Sequence, residues 1–344
     1  MKSNLVEKSL IPPIIQLLHY MLAGPVHVGS AQMANAMLAG LCGGSFDGLR
    51  ILHPGAGFGL DTIAGTGFGG HHVGIELAAD QVALNKVWEP GGKLVTWLGG
   101  SEPLPWSIYT PEEITIASRL FVSLDQQNAV SDGSAYVFHG DVFGADAPSL
   151  IGEKCDGAIG HFFTHEMTKR LEGFGGSLDH LGRLLNPGSH IVTTTPVHFA
   201  DLGKDNSYWR SWSLLSTEFA RFFVERLYEL LASRYLDIVQ LGMPAADFLL
   251  YPARLALKQE EVIRGSNDFE FVSSTVQLFD PPNCTPATAF KGLGLMMAAM
   301  LTGGNKPVAE LIEDVLEAIT QTTEEVGNEE GAGCPIVFNV FRKL

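Results

Sequence analysis

The feature that most constrains this chain is a stretch of nine residues, 51–59, reading ILHPGAGFG. Residues 50–53 (RILH) have the apolar character of a short buried strand. The chain then turns on Gly55, Gly57 and Gly59 and enters a helix predicted over 60–64. Glycine has no Cβ, so it takes positive φ and lets backbone approach a ligand closely. The N-terminus of the following helix offers free N–H groups to polar or anionic atoms. A strand feeding a helix through such a loop points to an α/β architecture. It makes Gly55, Ala56, Gly57 and Gly59 candidate ligand-binding residues. The same residues also suit a tight β–α turn with no ligand. A dinucleotide fingerprint needs G-x-G-x-x-G, and here Leu60 stands where its last glycine belongs, which disfavours a nicotinamide cofactor.

The rest of the chain repeats the strand–helix alternation. Strands are predicted at 72–77, 135–138, 157–163, 190–196, 269–278 and 336–341. Helices are predicted at 10–22, 31–41, 78–88, 112–124, 166–185, 209–239, 289–301 and 307–325. The helix at 78–88 has apolar residues at 79, 82, 83 and 87, a helical period. Asn186-Pro187-Gly188 reads as the stop of the helix before it. This alternation predicts an α/β, Rossmann-like, mostly parallel sheet with helices on both faces. The last strands break the rhythm and suit an antiparallel edge hairpin. Residues 1–45 read as a helical N-terminal segment or lid. Residues 46–344 read as one domain with insertions near 89–131 and 200–265.

Composition narrows the function classes. The chain has 344 residues, 46% of them hydrophobic, which excludes a disordered chain. Its 38 acidic and 22 basic residues give a net charge of −16. With no lysine or arginine run, a nucleic-acid partner is not expected. Four cysteines without Cys-x-x-Cys spacing suggest neither a disulfide scaffold nor a zinc site. The apolar stretches at 10–22 and 293–301 fall short of the ~20 residues of a bilayer span. The first residues mimic a signal peptide, but Pro12, Pro13, Gln16 and His19 interrupt the apolar run. A cytoplasmic protein is expected, with no membrane span and a homodimer left open.

Two acids follow the glycine loop. Glu76 ends the second predicted strand, next to Leu77, where a carboxylate accepts hydrogen bonds from both hydroxyls of a ribose. Asp141, beside Val142, follows the third strand, where it would accept from an adenine amino group or simply make a turn.

These motifs, taken in order, resemble those of class I S-adenosylmethionine-dependent methyltransferases. ILHPGAGFG resembles the family's first motif, VGIEL its acidic second motif and HGDVF its adenine-contacting one. CDGAIGHFFTHEM resembles the fourth-strand motif, and RLLNPGSHIVTTTP the leucine-x-proline-glycine-glycine turn before the fifth strand. GPVHVGSAQMANAML is similar to a His-x-Gly-Gly segment upstream, and PIVFNVFRKL to the closing strand. The resemblance covers residues 24–197. It implies S-adenosyl-L-methionine as cofactor, held by His53, Gly55, Ala56, Gly57, Gly59, Glu76, Leu77, Asp141, Val142 and His161. His53 stands where the family usually carries an acidic residue.

The resemblance further implies methyl transfer to a small-molecule acceptor, with nitrogen or sulfur favoured as the acceptor atom. Such a displacement needs mainly positioning and the exclusion of water. A base is needed only if the acceptor must lose a proton. His161, His165 and Glu166 are the candidates for that role. His161 and His165 also have the helical spacing of metal ligands, but no third ligand is evident, so no metal is expected. Aromatic residues Tyr208, Trp209, Trp212 and Tyr251 are candidates for acceptor binding, since aromatic faces attract cations by ~0.5–2 kcal/mol. Tyr20 and His27 are placed over the cofactor by the resemblance alone. Two other readings stay open: a non-catalytic relative serving as a partner subunit, and other chemistry on the same cofactor.

Overall fold

A computed structural model describes residues 12–23, 25–84, 108–128, 133–163, 174–196, 217–235, 262, 266–279, 284–328 and 334–344. The chain enters through helix α1 (Pro13–Leu22), a π-helical turn (Pro25–Gly29) and helix α2 (Ser30–Leu41). Strand β1 (Arg50–Pro54) leads to helix α3 (Leu60–Thr66), strand β2 (His71–Glu76) and helix α4 (Ala79–Leu84). Helix α5 (Pro111–Asn128) precedes strand β3 (Ser134–His139), the short helix α6 (Ala147–Ile151) and strand β4 (Cys155–His161). Then come helix α7 (Phe174–Arg183), strand β5 (Leu185–Pro196) and helix α8 (Thr217–Arg234). Strand β6 (Phe269–Phe279), helices α9 (Pro286–Leu301) and α10 (Val308–Val326) and strand β7 (Cys334–Lys343) complete the chain.

The seven strands form one sheet in the order β3-β2-β1-β4-β5-β7-β6. Strands β1 to β5 pair parallel, and β7 runs antiparallel to both β5 and β6. This is the Rossmann-like, mostly parallel sheet expected from the sequence. The closing hairpin is antiparallel as expected, with β7 inside the sheet and only β6 at the edge.

Side chains alternate across a strand, so neighbouring apolar residues serve opposite faces. Ile51, Ile159 and Val192 pack against Ala34 and Leu38 of α2. Leu52, Ala158 and Ile191 pack on the other face against Leu178 and Leu181 of α7. A fully buried aliphatic side chain of this kind contributes roughly 1.5–3 kcal/mol. A third cluster is helical. Leu17 and Leu18 of α1, Ala117 of α5, Phe223 and Leu227 of α8, Leu295 of α9 and Val315 of α10 share it. Phe58 and Leu60 from the β1–α3 loop reach into this cluster, so the loop is fastened to the helices. Glu113 and Lys291, 2.7 Å apart, tie α5 to α9.

One boundary differs from the expectation. The helix placed at 166–185 is described as Phe174–Arg183, and β5 already begins at Leu185. The pairing steps from Cys155↔Leu185 to Gly157↔His190, so Asn186-Pro187-Gly188 forms a bulge within the strand. Gly188 takes a φ of 82° there, and a bulge is one of the few places where a sheet accepts proline. Among the described residues no helix is long and apolar enough to cross a membrane.

Candidate active site

The strand order reverses beside β1: the chain runs outward through β2 and β3, then returns to β4 on β1's other side. In open α/β sheets the crevice at the carboxyl ends of strands on either side of such a switch binds ligands. Here that crevice is bounded by the loop after β1 and by His161 and Phe162 at the end of β4.

The β1–α3 loop is built for close approach of backbone. Gly55, Gly57 and Gly59 have φ of 64°, 56° and 80°, the left-handed region that favours glycine. Gly55 and Ala56 donate their N–H groups to the carbonyl of Ile75, at 2.9 and 3.2 Å. A Cβ at Gly55 would overlap the ring of Phe163, while one at Gly57 would lie 3.1 Å from the Gln81 side chain.

Glu76 holds this loop from the next strand. Its Oε2 accepts from the Gly57 N–H at 2.9 Å and its Oε1 from the Ala78 N–H at 2.8 Å. Burial pushes its carboxyl above the usual value, and the backbone N–H donors of Ala78, Gly57 and Leu77 oppose that. Each carboxylate oxygen has two acceptor positions, so these three donors leave Glu76 one for a ligand. Leu77 lies half-buried behind it, its carbonyl accepting from His139 Nε2 at 3.1 Å. Asp141 and Val142 follow β3, both buried. Asp141 Oδ1 accepts from the Phe143 N–H at 3.0 Å, which folds the turn.

At the end of β4, His161 Nε2 lies 2.8 Å from Ser30 Oγ. The Ser30 hydroxyl donates to the carbonyl of Val26. Its oxygen therefore accepts from His161, which fixes the proton on Nε2 and leaves Nδ1 as the basic lone pair. Burial holds this imidazole down, to about 4; Asp61 opposes the shift and His53 adds to it. His161 is thus neutral at neutral pH and a weak base.

Phe162 has a φ of 53°, the one positive value among the described non-glycine residues. That conformation costs about 1–2 kcal/mol for an ordinary residue. It stacks the Phe162 ring on His161 at 4.1 Å and sets its edge against His27 at 5.1 Å. His27 stacks on Tyr20 at 4.0 Å, and Tyr20 meets Phe58 of the glycine loop at 4.8 Å. The result is a continuous aromatic wall from the β4 end to the loop. The Tyr20 hydroxyl is pushed up to about 12, mainly by burial and further by Glu76 and Asp61. His27 also approaches His19, ring nitrogen to ring nitrogen, at 3.2 Å.

The structure therefore brings together His53, Gly55, Ala56, Gly57, Gly59, Glu76, Leu77, Asp141, Val142, His161, Tyr20 and His27. His53, however, points its ring nitrogens at Asp61 and His72. His165, Glu166, Tyr208, Trp209, Trp212 and Tyr251 lie outside the described residues. Sequence reasoning missed Ser30, Asp61, His72 and Phe162. The first three act through tertiary contacts that no local spacing announces, and the strain at Phe162 has no sequence signature. Among the described residues no group of three His, Cys, Asp or Glu side chains is placed to hold a metal ion.

No family model matches the chain, and no curated protein does. Among solved structures the chain is similar to the [4+2]-cyclase SpnF, at 13% identity over 99% of this chain and 98% of that one, with a TM-score of 0.42. It is similar to a SAM-dependent methyltransferase from Geobacter sulfurreducens in complex with S-adenosyl-L-homocysteine, at 14% identity over 91% of each chain, with a TM-score of 0.42. It is also similar to a SAM-dependent methyltransferase from Thiobacillus denitrificans in complex with S-adenosyl-L-homocysteine. That likeness has 16% identity over 97% of this chain and 99% of that one, with a TM-score of 0.42.

Proposed function

We propose that this chain is an S-adenosyl-L-methionine-dependent methyltransferase acting on a small-molecule acceptor. The observation that carries the reading is the loop: three left-handed glycines at the switch point, with Glu76 fastened to the middle one. The residues present fit the cofactor. Gly55 and Gly57 are partly exposed, and as glycines they present bare backbone. Glu76 keeps acceptor capacity for a ribose hydroxyl. Asp141 and Val142 offer an acceptor and an apolar wall to an adenine ring. When bound, the cofactor supplies an electrophilic methyl group on a sulfonium.

The chain's own residues would bind and orient. Gly55, Ala56, Gly57 and Gly59 shape the backbone cradle, and Glu76 and Leu77 set its far side. The wall of Phe58, Tyr20, His27 and Phe162 excludes water and presents aromatic faces to positive charge. His161 would face the acceptor with a neutral imidazole. A general base works best with a pKa near the working pH, so one held near 4 is suited to accept a hydrogen bond rather than to remove a reluctant proton. This favours acceptors that are nucleophilic without a strong base, a neutral amine nitrogen or a sulfur. The acidic net charge disfavours a nucleic-acid substrate. His165 and Glu166 remain candidates for a base, and Tyr208, Trp209, Trp212 and Tyr251 for acceptor contacts.

The test is a panel of amine and thiol metabolites incubated with isotopically labelled cofactor. A product heavier by one labelled methyl supports the reading. Product formation without methyl gain would assign other chemistry to the site.

A further inference from the structure

We infer that Asp61, His53 and His72 form a buried chain that holds one proton and fixes the glycine loop from below. His53 Nδ1 lies 3.2 Å from Asp61 Oδ2, and His53 Nε2 lies 3.0 Å from His72 Nδ1. His72 Nε2 in turn lies 2.9 Å from the carbonyl oxygen of Gly69. Both rings are fully buried and Asp61 is 3% exposed.

The order of donors follows from the last contact. A carbonyl only accepts, so His72 Nε2 carries a proton and donates it. Burial pushes His72 down to about 3, so the ring is neutral and its Nδ1 is a bare acceptor. His53 Nε2 therefore donates to it. If His53 carried only that proton, its Nδ1 lone pair would face a carboxylate oxygen with nothing between them. A second proton must sit on that contact. That proton lies between His53 Nδ1 and Asp61 Oδ2. The other Asp61 oxygen accepts from the Thr62 N–H at 2.9 Å.

The place of the pair gives it a role. His53 precedes the loop and Asp61 follows it, so their contact closes residues 54–60 into a ring. Asn35 of α2 donates to the Asp61 carbonyl at 3.0 Å, and a Cβ at Gly65 would overlap the His72 ring, so the chain is clamped on both sides. The titratable groups that face it are His161 from β4, Tyr20 from α1 and His71 beside His72 on β2. These three residues are positioning residues for the loop. Without the shared proton a lone pair would face a carboxylate and the ring would open. Asp61→Asn places an amide N–H where that proton lies and preserves the donor order.

The test is histidine ring nitrogen NMR on the ¹⁵N-labelled wild type at neutral pH. Two protonated ring nitrogens on His53 and an Nε2–H form of His72 are expected. A neutral His53, or a His72 protonated on Nδ1, overturns the inference, and the wild-type spectrum decides this whether or not any variant folds. The positioning role rests on the cofactor reading above and is measured separately, as the Kd of wild type, Asp61→Asn and Asp61→Ala for S-adenosyl-L-homocysteine. Asp61→Ala should bind roughly tenfold more weakly than Asp61→Asn, which keeps a donor toward His53. Equal affinities of the two variants overturn the positioning role. Absence of binding by wild type is a failure of the cofactor reading, with the spectrum still judging the proton chain.

Discussion

Two neighbouring parallel strands end in side chains that meet the same loop in opposite ways. Glu76, at the end of β2, grips the backbone N–H groups of Gly57 and Ala78 on the crevice side and is not saturated by its backbone donors. His53, at the penultimate position of β1, is sealed beneath the loop, with both ring nitrogens committed to Asp61 and His72. A polar group that is held but not saturated is placed to receive a ligand. A polar group that is saturated and fully buried is placed to hold its neighbours. Under the proposed function, ligand binding falls to the β2 end and loop geometry to the β1 end.

The largest expected effect comes from the sealed end in acid. His72 and His161 are held at about 3 and about 4, below the ordinary histidine value of 6.5. Unfolding lets both rings bind protons at a higher pH than the native protein does. The stability they contribute is present above about pH 6.5 and is lost progressively as pH falls toward those lower values, by several kcal/mol in sum. Urea unfolding at successively lower pH measures this, and a flat profile would mean that these rings are not buried neutral.

Next, Asp61→Ala leaves a buried His53 ring nitrogen without its partner and should cost about 1–3 kcal/mol, the usual penalty for an unsatisfied buried polar group. Asp61→Asn should lose much less, because it keeps a donor toward His53. Equal losses would show that the pair is not ordered as the contacts indicate.

At the open end, Glu76→Ala removes the acceptor proposed for a ribose hydroxyl. At roughly 1.5–3 kcal/mol for a hydrogen bond to a charged group, cofactor affinity should fall about 10- to 100-fold. The variant also leaves the Gly57 and Ala78 N–H groups without their acceptor, so thermal melting is followed alongside. A smaller effect is expected from Gly57→Ala. Its Cβ meets only the Gln81 side chain, at 3.1 Å, but its φ of 56° costs about 1–2 kcal/mol for alanine. Binding should drop about tenfold with the fold retained. Smallest of all, His161→Asn should lower turnover by about tenfold or less, under the ~10²–10⁴ of a well-tuned general base. The rate near neutral pH should not titrate with His161, since that imidazole is already neutral there.

Much of the parallel half was legible in the sequence. Residues 50–53, 72–77 and 135–138 fall on strands within a residue or two, because apolar runs between glycine-rich turns carry a local signal. The Asn-Pro-Gly stretch misled: its local preference is to stop a helix, yet pairing with β4 drew it into β5 as a bulge. Strand order at the closing hairpin was not legible either, since β7 slips between β5 and β6 through contacts distant in sequence. Within the site, Glu76 and the glycines stood out by position alone. His53 looked like a lone departure, because its partners lie 8 and 19 residues away and are joined only in the fold. Ser30 meets His161 across 131 residues, which no motif reading reaches.

The central claim is that the β1–α3 loop and Glu76 together hold S-adenosyl-L-methionine. Titration calorimetry of wild type and Glu76→Ala with S-adenosyl-L-methionine and S-adenosyl-L-homocysteine tests it most directly. The account predicts saturable binding of both by wild type and its loss or severe weakening in the variant. No binding of either by wild type at millimolar concentration, or equal binding by the two proteins, would contradict it.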